Sequence, residues 1–434
     1  MTRIKTRRLD SLNMGKEVEL RGRIIARRDF GKIVFLDLKD DEGKAQLMVS
    51  NDKNSKVYDL SSDLRIGNII GVSGRTTMTK TGQKTIDVER LQVYTRCRSF
   101  LPDLRNGLNR KSCYNNRGLD ILVDNSSFER FKKINRMLST VRTFFYEEGY
   151  QEVDTGILQK TEDSAPARCF TTYCNDLKRD LVLRKSKEQR MKQLIAGGFE
   201  KIFEIGKSFR NEQITRKYHP EINGLELYCA YSNWDDMLAL TNRVINSLNQ
   251  RFGIPESNPQ QYTEIKFYDL IKEEFKIDGR IASYKEIANL HPTKKKDYPQ
   301  NDYGRDFMLM DMVSFILDRN TSQNFVLKGI PKRVSVLSAQ DQEEPSLSQE
   351  FRYFVKGLSF AYGNTELTDS IEQERRLSEQ ANYEGKNMDL KKDLFLKIMK
   401  LGLPPLGGLG FGLERLWMLY TESHSAKDVI YYPL

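Results

Sequence analysis

The chain has 434 residues, 38% of them hydrophobic and 30% charged, which is enough for two or three globular domains. It contains no run of 18 apolar residues and no apolar signal core near its basic N-terminus, so neither a membrane span nor a secretory signal is expected. Five scattered cysteines without a CxxC pair and three widely spaced histidines exclude a disulfide framework and a zinc site, and favour a cytoplasmic protein.

Residues 1–100 are predicted to form a small all-β domain. The segment EVELRGRIIARRDFGKIVFLDLKDDEGKAQLMVS alternates apolar and polar residues between turn signals, and short strands continue beyond it. About five short strands in this length are typical of an OB-type barrel, which binds single-stranded nucleic acid by stacking bases on aromatic rings in a basic groove. The rings and cations available for that role are Phe30, Phe35, Arg23, Arg27, Arg28 and Lys32.

Residues 101–124 are predicted to be a basic linker. The stretch 96–117, which overlaps its start, contains six arginines and lysines against one acid, Asp103. Together with the net charge of +10 for the whole chain, this composition favours contact with RNA. A solvated connector is the alternative.

The hydrophobic period changes from about residue 125. Apolar residues at helical spacing predict a helix over 126–147, with Ser126 or Ser127 as its N-cap and Gly149 as its stop. The elements predicted after it are a strand over 151–158, a helix over 186–197, strands near 200–206 and 224–231, a helix from about Asp235, an α/β insertion over about 255–330, and a final strand, glycine-rich turn and helix. We therefore expect an α+β domain over 125–434.

Several ordered motifs in this domain point to a known family. FEIGKSFRNE, HPEINGLELYCAYSNW and GLGFGLERLWMLYT resemble the motifs of class II aminoacyl-tRNA synthetases, and YGNTELTDSIEQERRLSEQ and GLPPLGGLGFGLERL are most similar to the lysyl type. The resemblance covers nearly the whole chain, including GKIVFLDLKDDEGKAQ in the barrel. It implies an antiparallel-sheet catalytic domain with helices that follows the OB barrel.

The resemblance assigns a nucleotide site. Arg210 and Arg415 would be the catalytic arginines, because fixed guanidinium groups suit the phosphates of ATP and the charge that develops during transfer. If Arg210 and Glu212 lie on a strand, both side chains point to the same face, and a salt bridge across the strands is the alternative use of this pair. The ATP-binding residues implied are Arg210, Glu212, His219, Gly412 and Arg415.

The resemblance also implies an amino-acid pocket built from carboxylates, since a buried substrate ammonium needs a charged partner. Its residues are Glu188, Glu226, Tyr228, Tyr362 and Glu366. For Glu188 alone, an exposed acid is the alternative. In the barrel, Arg28, Phe35 and Gln46 stand where the family binds the anticodon, although Phe35 could instead belong to the barrel core.

The expected metal site is altered. The family holds magnesium with two glutamates upstream of NTELTD, but Arg352 and Ser359 stand at these positions, and Arg333 stands at a third acidic position. Glu350 is the remaining candidate ligand. Ile222 replaces the aromatic residue expected to stack on adenine. We therefore expect ATP as cosubstrate and no standard magnesium site.

The sequence thus predicts a lysyl-tRNA synthetase-like ligase that adenylates lysine, or a lysine-like amino acid, and transfers it to tRNA. Because the metal acids and the aromatic residue are replaced, two alternatives stay open: a paralogue that acts on a non-tRNA acceptor, and a non-catalytic RNA-binding or scaffold protein. The helix at 126–147 and the strand at 151–158 resemble the dimer element of the class. We therefore expect a homodimer, with Gly156 in place of a proline of that element.

Overall fold

A computed structural model describes residues 2–102, 107–162, 167–253, 262–293, 298–320, 323–385 and 394–434. The chain divides into two compact units, residues 1–110 with 122–124 and residues 111–121 with 125–434. Residue 105 of the predicted basic linker and Lys294–Lys296 of the predicted insertion lie outside the described ranges. In the part of the chain that is described, no helix is long and apolar enough to cross a membrane.

The first unit is a barrel closed on itself. Its elements are β1 (Thr2–Arg3), a 3₁₀ turn (Thr6–Ser11), β2 (Glu17–Asp29), β3 (Ile33–Lys39), β4 (Lys44–Ser50), α1 (Ser55–Ser62), β5 (Ile69–Met78) and β6 (Lys84–Thr95). The strands pair in the order β2-β3-β4-β6-β5, and β5 pairs again with β2. The contact between β4 and β6 is parallel and α1 lies between β4 and β5 in sequence, so the predicted OB-type barrel is confirmed.

Strict alternation along β3 separates the barrel core from its outer face. Val34, Leu36 and Leu38 are fully buried, whereas Phe35 between them is only partly buried. Because successive strand residues point to opposite faces, Phe35 faces outwards. The alternative that placed Phe35 in the barrel core is therefore wrong.

The second unit contains an eight-stranded sheet in the order β13-β14-β15-β16-β17-β12-β11-β7, in which only the two outermost pairs are parallel among the strands described. A separate three-stranded sheet has the order β8-β10-β9. The strands are β7 (Gln151–Glu152), β8 (Leu158–Gln159), β9 (Thr171–Cys174), β10 (Arg179–Leu183), β11 (Lys201–Phe209), β12 (Glu221–Ala230), β13 (Tyr262–Lys266), β14 (Asn324–Pro331), β15 (Leu347–Val355), β16 (Leu358–Thr365) and β17 (Leu406–Gly412).

Helices cover this sheet. They are α2 (Arg110–Asn115), α3 (Arg117–Val123), α4 (Asn125–Glu147), α5 (Glu188–Ala196), α6 (Trp234–Phe252), α7 (Phe267–Phe275), α8 (Tyr284–Leu290), α9 (Asp302–Arg319), α10 (Ser370–Glu384), α11 (Leu394–Met399), α12 (Leu413–Thr421) and α13 (Ala426–Val429). The main core packs α4, α6 and α12 against the sheet, with Phe145, Val244 and Phe203 among its buried members. The α+β class is confirmed.

The predicted helix over 126–147 is confirmed as α4, and Gly149 follows it with a φ of 82°. The predicted strand over 151–158 is wrong in its middle, because only its ends pair as β7 and β8. Gly156 has a φ of 73°, and its N–H donates to Asp154 Oδ1 at 3.0 Å, so the chain turns there.

The segment predicted as an α/β insertion supplies β13, α7, α8, α9 and β14. Its helices share a second hydrophobic core with β14, which includes Phe267, Met312 and Leu327. β14 pairs with β15 and β13 pairs with β14, so the two strands extend the main sheet. The segment is therefore continuous with the main sheet.

Candidate active site

The floor of the site is a patch of the main sheet where β17 carries glycine at alternate positions. An added Cβ at Gly410 would lie 2.6 Å from the ring of Tyr362, and one at Gly408 would overlap the carboxylate of Glu366. Side chains from the neighbouring strands therefore extend across β17. Larger residues at these two positions would displace them.

The strand register aligns the predicted site residues in rows across this floor. Glu226 pairs with Gly410, Gly410 with Tyr362, and Tyr362 with Arg352. A second row contains Tyr228, Gly408, Asn364 and Glu350 in the same way. Directly paired residues share a face of the sheet, so both rows point towards the same surface.

Two adjacent cavities open on this surface, a smaller one of about 170 Å³ and a larger one of about 390 Å³. The residues that line both are Arg210, Glu226, Ser359, Tyr362 and Arg415. Two ligands, or two ends of one ligand, can therefore meet at this shared wall.

The smaller cavity brings together most of the residues assigned to ATP. Arg210, His219, Gly412 and Arg415 line it, but Glu212 does not. β11 ends at Phe209, and the N–H of Glu212 donates to the carbonyl of Arg210 at 2.8 Å, so the two residues lie in a turn. The prediction that they share one strand face is wrong, because the strand stops one residue before Arg210.

The two predicted catalytic arginines differ in their partners. Arg415 Nη1 donates to the carbonyl of Ser359 at 2.6 Å, and its guanidinium lies 4.9 Å from the ring centroid of Tyr218. Arg210 has no side-chain hydrogen bond or ion pair among the described residues and is exposed to the cavity. Its five N–H donors are thus available to an anionic ligand.

His219 is held by the backbone. Its Nε2 accepts the N–H of Leu434 at 3.0 Å, and its Nδ1 lies 3.1 Å from the carbonyl oxygen and 3.2 Å from the nitrogen of Glu221. The ring is buried and forms part of the cavity wall. With both nitrogens occupied, His219 shapes the cavity and has no free ring nitrogen for a ligand.

The acids assigned to the amino acid converge on a lysine that the sequence analysis missed. Lys192 is fully buried, and its Nζ lies 2.7 Å from Glu188 Oε1 and 2.5 Å from Glu366 Oε2. The same ammonium lies 5.8 Å from the ring of Tyr228. The spacing of Glu188 and Lys192, four residues apart on a predicted helix, was the signal that could have identified this pair.

These contacts change the pKa values of the ion pair. Burial alone would lower the pKa of Lys192, but Glu188 and Glu366 outweigh it and raise that pKa above its ordinary value. Burial raises the pKa of Glu366 to about 7, with Lys192 opposing and Glu188 adding to the rise. Only 21% of the Glu188 side chain is exposed, so the alternative of an exposed acid does not hold.

A second buried lysine, Lys187, lies next to Glu226 of the shared wall. Lys187 immediately precedes α5, its side chain is fully buried, and its Nζ lies 3.4 Å from Glu226 Oε1. It lines the smaller cavity. No periodic pattern or motif in the sequence marked this residue.

Glu350, the remaining candidate metal ligand, is engaged by neighbouring side chains. Glu350 is buried, and its Oε1 accepts Arg352 Nε at 2.7 Å while its Oε2 accepts the hydroxyl of Ser335. Arg333 pairs with Asp302 and Asp306 at 2.8 and 3.0 Å. Across the ranges that the structure covers, no cluster of three or more His, Cys, Asp or Glu side chains could hold a metal ion.

The barrel presents a separate surface with the predicted RNA-binding residues. Arg28 pairs with Phe35 across β2 and β3, and Gln46 of β4 pairs with Asp37, two residues along from Phe35. Arg28 donates to Asp37 at 2.7 Å, and the Gln46 side-chain oxygen is buried without a hydrogen-bond partner. Phe30 packs edge-on against Phe35 at 5.9 Å. All three predicted residues thus lie on one outer face.

Comparison with known proteins places both units in families. Residues 109–434 match the family described as tRNA synthetases class II (D, K and N), and residues 18–94 match the OB-fold nucleic acid binding domain. A lysine–tRNA ligase of Fervidobacterium nodosum is 32% identical over 96% of this chain and 84% of its own length. Those of Enterococcus faecalis and Lactiplantibacillus plantarum are 32% and 33% identical over 97% and 95% of this chain, and over 87% and 85% of their own lengths. The chain belongs to the class II tRNA synthetases, with lysine–tRNA ligases as relatives over nearly its whole length.

Proposed function

We propose that this protein activates lysine, or a closely lysine-like amino acid, with ATP and transfers it to tRNA. Support comes from the relatives, which are lysine–tRNA ligases, and from the shared wall of the two cavities. The observation that carries the proposal is at that wall. Glu226 Oε2 is buried without a hydrogen-bond partner, and Arg210 beside it is also unpaired among the described residues. An amino acid supplies both missing partners, an ammonium and a carboxylate.

The reaction needs no nucleophilic side chain. The carboxylate of the amino acid attacks the α-phosphorus of ATP, the bond to the β-phosphate breaks, and pyrophosphate leaves. Arg210 stabilises the charge that develops on the α-phosphate, and Arg415 neutralises the outer phosphates. A terminal hydroxyl of tRNA then attacks the activated carbonyl and releases AMP.

Lysine recognition would use the larger cavity. Glu366 and Tyr228 lie at its inner end, Glu188 lies beside them, and Tyr362 forms part of the wall that it shares with the smaller cavity. A substrate ammonium would enter a site that already contains Lys192. The carboxylates of Glu188, Glu226 and Glu366 would then lie near the ammonium of Lys192 and the side-chain ammonium of the substrate.

The nucleotide would bind in the smaller cavity between Ile222, Gly412 and Arg415. Ile222 offers the adenine an aliphatic surface in place of an aromatic ring. Glu212 lies outside this cavity, and we assign it no contact with ATP. The candidate ligand Glu350 is engaged by Arg352 and Ser335, and we derive no step through magnesium.

The test is amino-acid-dependent exchange of pyrophosphate into ATP, screened over all amino acids with and without magnesium. We expect exchange with lysine, a loss of about 100-fold in Arg210→Ala, and little change in Arg243→Ala, an exposed arginine on α6. Exchange that vanishes on chelation would show that magnesium binds despite the altered acids.

The two alternatives give different results in the same screen. Exchange that depends on another amino acid, without transfer to tRNA, would identify a paralogue with a different acceptor. Absence of exchange in a protein that still binds RNA would identify a non-catalytic RNA-binding protein.

A further inference from the structure

Lys187 occupies space that two glycines leave on the sheet. Its Nζ lies 3.1 Å from where a Cβ would stand at Gly224, and its Cε lies 3.5 Å from that place at Gly206. These glycines pair with each other across β11 and β12. The lysine side chain therefore lies flat on the two strands, with its ammonium directed to the shared wall of the two cavities.

The ammonium of Lys187 is incompletely satisfied. It has three N–H donors, and Glu226 Oε1 at 3.4 Å is its one partner in the part of the chain that is described. The side chain is fully buried in this conformation, so its flexible stem must move for the ammonium to reach a ligand in the cavity. A buried ammonium with one long contact is costly unless a further anionic group reaches it.

Two other cations that line the smaller cavity, Lys217 and Arg415, have closer hydrogen-bond partners than Lys187 has. Lys217 donates to the carbonyl of Gly357 at 3.0 Å and pairs with Asp318 at 3.2 Å, and Arg415 donates to Ser359. Lys187 and Arg210 are thus the two cations of this cavity that lack a short hydrogen bond among the described residues. Both line the smaller cavity next to Glu226.

We propose that Lys187 binds the α-phosphate of the nucleotide together with Arg210, and supplies part of the positive charge that faces this phosphate. This role rests on the proposed adenylation. An ammonium is a compact charge that moves on a flexible stem, so it can follow the phosphate from ATP to the aminoacyl adenylate. The α-phosphate would provide the oxygen acceptors that Lys187 lacks.

The test compares AMP with adenosine, because the two differ only in the phosphate. Binding of each is measured by calorimetry in the presence of a chelator, with wild-type protein, Lys187→Met and Lys185→Met. Lys185 is a matched control because it is equally buried in the same segment but lines neither cavity. Methionine keeps the length of the side chain and removes the charge.

We expect the wild type and Lys185→Met to bind AMP at least about tenfold more tightly than adenosine, the effect of hydrogen bonds to a charged group. Lys187→Met should lose most of that preference while its affinity for adenosine, which reports an intact cavity, stays the same. Wild-type protein that binds both compounds equally would overturn the proposal without any variant. Unchanged AMP affinity in Lys187→Met would overturn it too.

The phosphate role and the adenylation can fail separately. If no amino acid supports pyrophosphate exchange while the preference for AMP persists and depends on Lys187, the proposed function is wrong and the phosphate site stands. If lysine-dependent exchange proceeds equally in the wild type and in Lys187→Met, the phosphate role is wrong and the proposed function stands.

Discussion

Lys192 gives the pocket for the substrate amine an internal cation. Glu188 and Glu366 contact the ammonium of Lys192, and Glu226 contacts that of Lys187. Full ionisation of these acids without the lysines would be very unfavourable in a buried site. The two lysines therefore allow an acidic pocket to fold.

Replacing Lys192 with methionine should destabilise the protein by about 3–5 kcal/mol near pH 8, since it leaves the buried carboxylate of Glu366 without its ammonium partner. The pKa of Glu366 is raised to about 7 in the folded state from an ordinary 4.5, so its stabilising contribution is present below pH 4.5 and is lost as pH rises through 7. Removal of Lys192 raises this pKa further, and the deficit of the variant should therefore shrink towards pH 5. Urea unfolding of both proteins from pH 5 to 8 measures this difference in the free energy of unfolding.

The matched control for this prediction is the double variant Lys192→Met with Glu366→Gln. It removes both charges of the closest pair, so it should regain much of the stability at pH 8. A deficit in Lys192→Met that is the same at every pH would contradict the prediction, because it would reflect lost packing alone.

The ordered motifs predicted which acids and arginines line the cavities. The hydrogen-bond and ion-pair partners of these residues could not be predicted from the sequence. Lys192 is in i,i+4 spacing with Glu188, which the sequence shows, whereas its contact with Glu366 joins α5 to the residue after β16. Such a contact depends on tertiary packing. Glu212 was placed wrongly for a related reason, because the end of β11 is set by its pairing with β12.

At the scale of elements, the outer face of β2, β3 and β4 is the proposed RNA surface. Phe35→Ala should weaken RNA binding by about 1–3 kcal/mol if a base stacks on the ring, and should leave the barrel folded because Phe35 lies outside its core. Binding of a tRNA anticodon stem-loop at several salt concentrations measures this. Affinity should fall steeply with salt in both proteins.

Leu60→Ala is the control, since Leu60 is an exposed apolar residue on α1, outside the face formed by β2, β3 and β4. Equal losses in the two variants would argue against a specific stacking site. Unfolding of the barrel in Phe35→Ala would contradict the outward orientation of the ring.

The elements that the sequence predicted well are those with a strong local period. α4 has buried residues at helical spacing over 23 residues, and β3 alternates strictly, so local pattern and tertiary burial agree. The strand predicted over 151–158 failed because one residue, Gly156, takes a conformation with positive φ. A glycine permits such a turn without requiring it, so sequence alone could not locate the break.

At the scale of the whole molecule, we predict a homodimer. Large apolar side chains are exposed near the predicted dimer element, including Tyr146 on α4, Ile157 and Leu158. Light scattering at micromolar concentration should give about twice the 50.5 kDa of one chain, and Leu158→Glu should shift the protein towards the monomer. A purely monomeric wild type would contradict this prediction, and Leu177→Glu, an exposed position outside that element, is the control.

The overall architecture could be predicted because several motifs occur along the chain in a fixed order. No single helix or strand would have identified it. An OB barrel and a class II catalytic domain each carry an ordered set of short motifs, and these extend over almost the whole chain. At the metal site, the sequence analysis expected the chain to depart from the family pattern. There the structure shows the acid Glu350 engaged by Arg352, a pairing of residues two apart on one strand face that a strand pattern can suggest.

The position of Lys187 against Gly206 and Gly224 makes these three residues interdependent. Any side chain at Gly224 would crowd the ammonium, and a small residue at 187 would leave a void above two glycines. A side chain at position 224 would therefore have to share its space with the Lys187 ammonium, so substitutions at positions 187 and 224 are expected to have non-additive effects on stability.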